Sequence, residues 1–152
     1  MFEIEGTKNP DEIAIKTASK TIVINVAEST ISADLPVGVI SGPGEFEIGE
    51  ATIRGIGVGE DKSSTIYDVE VSGVHVGITG GIEDGLDDLG ISDVLCTTSV
   101  RAVREISPKL VIAMGNVDGM VTELKLTAKT EKKLKVKKID DLPAAMEVVV
   151  LN

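Results

Sequence analysis

From the first residue to about position 80 the chain is a succession of short runs rich in Val, Ile and Thr, each bounded by Gly, Asn, Asp or Pro. Runs of that length and composition predict antiparallel strands and hairpins. They are FEIE, EIAIKT and KTIVINV, then, after a polar stretch AESTISAD, PVGVIS, EFEI, EATIRGIGV, SSTIYDVEVS and VHVGIT. The Gly-rich segments SGPGE and GVGEDKSS are the turns between them.

After position 80 the rhythm changes. GGIEDGLDDLG predicts a short acidic helical turn, SDVLCTT a buried strand, and SVRAVREIS a helix opened by Ser99 and closed before Pro108. KLVIAMG reads as a second buried strand, DGMVTELKLTAKT as a helix, KLKVKK as a strand and AAMEVVVLN as a terminal strand. Strand, helix, strand in this half predicts helices layered on a sheet rather than a pure β barrel.

Composition narrows the function classes. The 152 residues fit a single domain, 1–152, able to bury about two-thirds of its unfolded surface. Aromatic residues make up 2% of the chain, so the core is built from aliphatics and no stacking platform for single-stranded nucleic acid or sugars is expected. A formal charge of -10 repels phosphate backbones, which argues against nucleic acid as a partner of the whole surface. No apolar run approaches the ~20 residues of a spanning helix, so no membrane partner is expected. The single Cys96 excludes an intramolecular disulfide and suits a reducing compartment; the expected location is the cytoplasm.

Five segments, in order, carry a resemblance: VISGPGEFEIGEATIRGIGV, STIYDVEVSGVHVGITGGI, LGISDVLCTTS, ISPKLVIAMGN and LKVKKIDDLPAAMEVVVLN. Together they resemble small hydrolases of the metallo-β-lactamase fold, in their lactonase-like branch, over most of the chain from Val39 to Asn152. The resemblance implies an α/β (α+β) class, here a truncated, β-rich form of the αββα sandwich. It also implies two metal ions held at the sheet edges by histidines and aspartates. Position by position those ligands are missing. The HxHxDH motif would fall on STISADLPVG before Val39; the bridging Asp falls on Gly80-Gly81; the His after KLVIAM falls on Gly115; the early Asp falls on Asn25 or Val26. Zinc catalysis takes three protein ligands, mostly His nitrogen, plus a position for water. One histidine in 152 residues does not supply them.

The remaining chemical candidates each have an ordinary explanation. His75 alternates with Val71, Gly73, Gly77 and Thr79 in a strand, and its default pKa near 6.5 assigns it no role. Cys96 lies in a run expected to be covered on both faces, where a free thiol packs as a small apolar residue. Glu83, Asp84, Asp87 and Asp88 read as an acidic helix start favoured by the helix dipole, without the spacing of a calcium loop, although hard cations remain open there. The glycines of SGPGE and GIGVG are explained by turn geometry and lack the partners of a nucleotide loop. Arg54 lies within a strand. Lys129, Lys132, Lys133, Lys135, Lys137 and Lys138 form the one basic run; alternation puts Leu134 and Val136 on one face and lysines on the other, as in an edge strand protected by charge, with docking of an acidic partner as the other reading.

The expectation is therefore a metal-free structural or interaction module without catalytic, cofactor-binding or metal residues. Outer sheet faces poor in covering helices point to a homo-oligomer or a protein partner. The alternatives are a metal-dependent hydrolase with a relocated carboxylate-based site at Glu83 to Asp88, and a small-ligand sensor in the inherited cleft.

Overall fold

The structure is a computed structural model that describes residues 1–34, 38–115 and 117–152. Two sheets face each other. The first is six-stranded and wholly antiparallel, built from β1 (Phe2–Gly6), β2 (Glu12–Lys16), β3 (Thr21–Asn25), β4 (Thr30–Ala33) and β5 (Gly38–Ser41), with the late strand β13 (Lys133–Val136) added beside β1. The stretch read from sequence as polar, AESTISAD, thus contains a strand. Its alternation is hidden because only Ile31 faces inward at full size, while Thr30 and Ser32 face out.

The second sheet is eight-stranded. Its antiparallel half consists of β6 (Gly44–Ile48), β7 (Ala51–Val58), β8 (Ser64–Val71) and β9 (Val74–Gly80). Its parallel half consists of β10 (Val94–Thr97), β11 (Leu110–Ala113), β12 (Ala128–Glu131) and β14 (Glu147–Leu151), in the order β12-β14-β11-β10-β9. The helices α1 (Leu86–Leu89), α2 (Val100–Ile106) and α3 (Val117–Leu124) belong to this half, as parallel connections require. The helix expected to run to Thr130 ends at Leu124, and Ala128–Glu131 is a strand because the edge beside β14 pairs its backbone.

Two cores result. Between the sheets lie Phe2, Ile4, Ile15, Ile22, Ile24 and Ile31 from the first sheet against Ile53, Val69, Val76 and Cys96 from the second. At about 1.5–3 kcal/mol for each fully buried aliphatic side chain, this layer is the main source of stability. Outside the second sheet, Leu86, Leu89, Ala102, Val103 and Met120 of the helices cover Ile66, Leu95, Val111 and Val148. The outer face of the first sheet has no helix among the described residues. Its cross-strand rows read Lys133, Glu5, Ala14, Val23, Ser32, Val39 and Lys135, Glu3, Lys16, Thr21, so it meets water chiefly through polar side chains and the ion pairs Lys16–Glu5 (3.0 Å) and Lys133–Glu3 (3.2 Å).

The turn SGPGE is the corner at which the chain leaves the first sheet for the second. Gly42 (φ 79°) and Gly44 (φ 148°) supply conformations that L-residues avoid. Pro43 packs on the second sheet so closely that a Cβ at Gly55 would lie 3.4 Å from its Cα.

Candidate functional site

The C-terminal ends of β9, β10 and β11 form one edge of the second sheet, and the loops that leave them meet there. Parallel register aligns Thr97 with Gly80 and with Ala113. Thr98 donates its N–H to Gly80 O (2.9 Å), and Met114 donates to Thr97 O (3.1 Å). Thr98 is consequently flanked by two glycines: a Cβ at Gly81 would lie 3.3 Å from its Oγ1, and a Cβ at Gly115 3.6 Å from its Cγ2. Val26 closes the same edge from the first sheet, its Cγ1 3.2 Å from where a Cβ at Gly80 would sit. Asn25 turns away from it: Oδ1 accepts the N–H of Glu28 (2.9 Å), capping the β3–β4 turn. Four positions singled out by the resemblance, Val26, Gly80, Gly81 and Gly115, are therefore brought together. The segment ahead of Val39 is part described strand, Thr30–Ala33, and part outside the described residues, 35–37.

The donors at this edge are hydroxyls. Thr79 donates to Thr97 (2.8 Å), and Thr97 donates to Gly80 O (2.9 Å). Ser99 caps α2 by accepting the N–H of Ala102 (3.1 Å) and donates its own proton to Glu83. Of the acidic run, Glu83 alone is tied to this edge. Asp87 and Asp88 sit in the first turn of α1, where the dipole favours them, and with Glu83 and Asp84 they line an open hollow of about 290 Å³ beside Arg101. Among the described residues no three His, Cys, Asp or Glu side chains are grouped to hold a metal ion. Among the described residues, an edge of threonine hydroxyls, glycines and one carboxylate does not fit zinc, which takes imidazole, thiolate and carboxylate ligands around an open position. The opening near Met114 amounts to about 60 Å³ between the β1–β2 hairpin and the ends of β11 and β14.

His75 and Cys96 lie elsewhere. His75 is near the start of β9, about 16 Å from Gly80 along the strand. It faces the helix side, where Nδ1 lies 3.2 Å from Asp68 and Nε2 3.0 Å from Glu70. Its backbone is clamped as well, N–H donating to Asp93 Oδ2 (2.9 Å) and C=O accepting from Asp93 N (2.8 Å). An ordinary strand histidine was expected; this one is the hub of a polar cluster that sequence spacing did not reveal, since Asp93 arrives from eighteen residues away. Arg54, opposite Asp68 in register, donates to Leu89 O (2.8 Å) and holds α1 to the sheet. Burial raises the Asp68 carboxyl above the usual range, with His75 and Arg54 opposing the shift. Cys96 points into the sandwich, and burial pushes its thiol far up. Tyr67 is fully buried, and among the described residues its hydroxyl has no hydrogen-bond partner of good geometry; burial pushes the phenol to about 12, Thr65 opposing.

No protein-family model and no curated protein sequence matches the chain. Among solved structures it is similar to a candidate zinc-dependent hydrolase of the metallo-β-lactamase superfamily from Thermotoga maritima, 19% identical, with a TM-score of 0.71 over 99% of this chain and 98% of that one. The chain has the metallo-β-lactamase fold. Its class is α/β and β-rich, and the likeness extends over nearly the whole of both chains. The resemblance implied ligand positions at Gly80-Gly81 and Gly115; the tertiary structure puts Gly81 and Gly115 beside Thr98.

Proposed function

We propose that this chain is a non-catalytic protein of the metallo-β-lactamase fold, working as a structural or interaction module in the cytoplasm after loss of its metal site. The observation that carries the reading is the edge at Thr98, where positions that would bear ligands are glycine and valine. A buried, unpaired Cys96 accords with a reducing compartment. Homo-oligomerisation or a protein partner supplies the function in place of chemistry.

One observation favours the second reading, a metal-dependent hydrolase with a relocated carboxylate-based site: Glu83 is held at the edge by Ser99. Metal analysis of the purified protein, followed by lactone, phosphodiester and thioester substrates, separates the two. The module reading expects substoichiometric metal and no turnover. Stoichiometric metal with turnover abolished by a chelator overturns it.

A further inference from the structure

A sheet edge is a row of unpaired N–H and C=O groups, and folded proteins keep such rows from pairing with other chains by placing charge on them. Among the described residues the two sheets end in four edge strands, β5 and β13 in the first and β6 and β12 in the second. Three carry charge: Glu45 and Glu47 on β6, Lys129 and Glu131 on β12, Lys133 and Lys135 on β13. The fourth, β5, reads Gly-Val-Ile-Ser and carries none. Two copies of a chain of net charge -10 repel each other, so an uncharged edge is where they meet at least cost.

The hydrogen-bond phase of β5 fixes which groups it leaves open. Gly42 donates to Ser29 O (2.9 Å), and the register continues from that pair through Thr30–Ser41, Ile31–Ile40, Ser32–Val39 and Ala33–Gly38. Hydrogen-bonded and non-hydrogen-bonded pairs alternate in an antiparallel ladder, so Gly38 and Ile40 bond to β4, while the N–H and C=O of Val39 and Ser41 point away from it. Those four groups have no partner among the described residues. The side chains beside them are apolar or small. Val39 is 68% exposed on the outer face. Ile40, opposite the buried Ile31, packs against the core between the sheets and stays half-buried.

We propose that β5 pairs with β5 of a second copy of this chain, antiparallel about a twofold axis at Ile40. This rests on the reading of the protein as an interaction module and names its partner and contact. In this register Val39 and Ser41 of each copy exchange N–H and C=O with Ser41 and Val39 of the other, and every open group of both strands is used. Centring the axis on Val39 or on Ser41 instead leaves the other residue opposite nothing in β5. The two Ile40 side chains face each other on the core side and cover apolar surface that each exposes alone. Such a contact is isologous and closes at a dimer.

The test is sedimentation velocity and light scattering of the full chain from about 1 to about 500 µM. Wild type is expected to pass from monomer to dimer, more readily in 0.5 M salt than in low salt, because the contact is uncharged and screening relieves the repulsion between the two acidic bodies. Ser41→Pro removes an open N–H without touching a bond to β4, and Val39→Glu places charge on the edge. Each is expected to weaken dimerisation at least about tenfold, since symmetry applies every change twice. Circular dichroism checks folding, and Val39→Glu, at an exposed side chain, carries the test if Ser41→Pro unfolds. Cross-linking reads the register: under mild oxidation Ile40→Cys forms a disulfide-linked dimer, because the pair at the axis has its Cβ atoms about 4.5–5.5 Å apart, whereas Lys135→Cys on β13 does not. A wild type that stays monomeric, dimers that neither substitution weakens, or no cross-link through Ile40→Cys overturns the proposal. Metal content and turnover, measured on the same samples, report separately on the metal-free reading.

Discussion

The Nδ1 of His75 lies 3.2 Å from both carboxylate oxygens of Asp68, a side chain that is only 7% exposed. Burial raises the Asp68 pKa, so the folded protein binds this proton more readily than the unfolded chain does. Its contribution favours the folded state below the unfolded carboxylate value and is lost as pH rises through the raised one. Asp68→Asn removes that dependence. In thermal melts from pH 3 to 7, wild type is expected to lose stability relative to Asp68→Asn as pH rises; a difference constant with pH refutes the assignment.

Ile31 and Ser32 are neighbours on β4 with opposite fates, one inside the sandwich and one on the outer face. Ile31→Ala removes buried aliphatic volume and costs about 2–5 kcal/mol. Ser32→Ala stays within about 0.5 kcal/mol. Urea titration of both variants measures the contrast, and equal effects would place β4 outside the core.

Gly85 and Gly115 differ in what surrounds them. At Gly85 φ is 74°, and a Cβ would lie 2.2 Å from Val58 Cγ1. Gly85→Ala therefore combines left-handed strain with overpacking and costs about 1–3 kcal/mol. Among the described residues a Cβ at Gly115 meets Thr98 Cγ2 at ordinary contact distance, and Gly115→Ala is expected to be tolerated within about 0.5 kcal/mol. Gly115 is then a replaceable residue rather than a structural requirement, which denaturant midpoints will show.

Cys96 is fully buried and its thiol is pushed up by desolvation, so thiolate is scarce at neutral pH. Iodoacetamide should leave it unmodified in the native protein and label it stoichiometrically in denaturant, as followed by mass spectrometry. Rapid native labelling would contradict the interior position.

Much of the architecture was legible because it is written in local periodicity. Ile13 and Ile15, or Ile22 and Ile24, alternate with residues of the outer face, and a period of two leaves one arrangement that buries them. The Ser99 cap and the stop at Ser107 were equally local. β4 escaped because one large apolar residue among Thr, Ser and Ala makes no pattern, and β12 escaped because AKTE, exposed at all four positions, becomes a strand only by pairing with β14.

The site divides in the same way. Which ligand types are missing is a matter of composition: one imidazole and one thiol in the chain settle it before any folding. That Gly81 and Gly115 meet at Thr98 and that Asp93 reaches back to clamp His75 are facts of the tertiary structure alone. Parallel register and sheet edges join residues tens of positions apart, and no local pattern of side chains encodes which distant strand lies alongside.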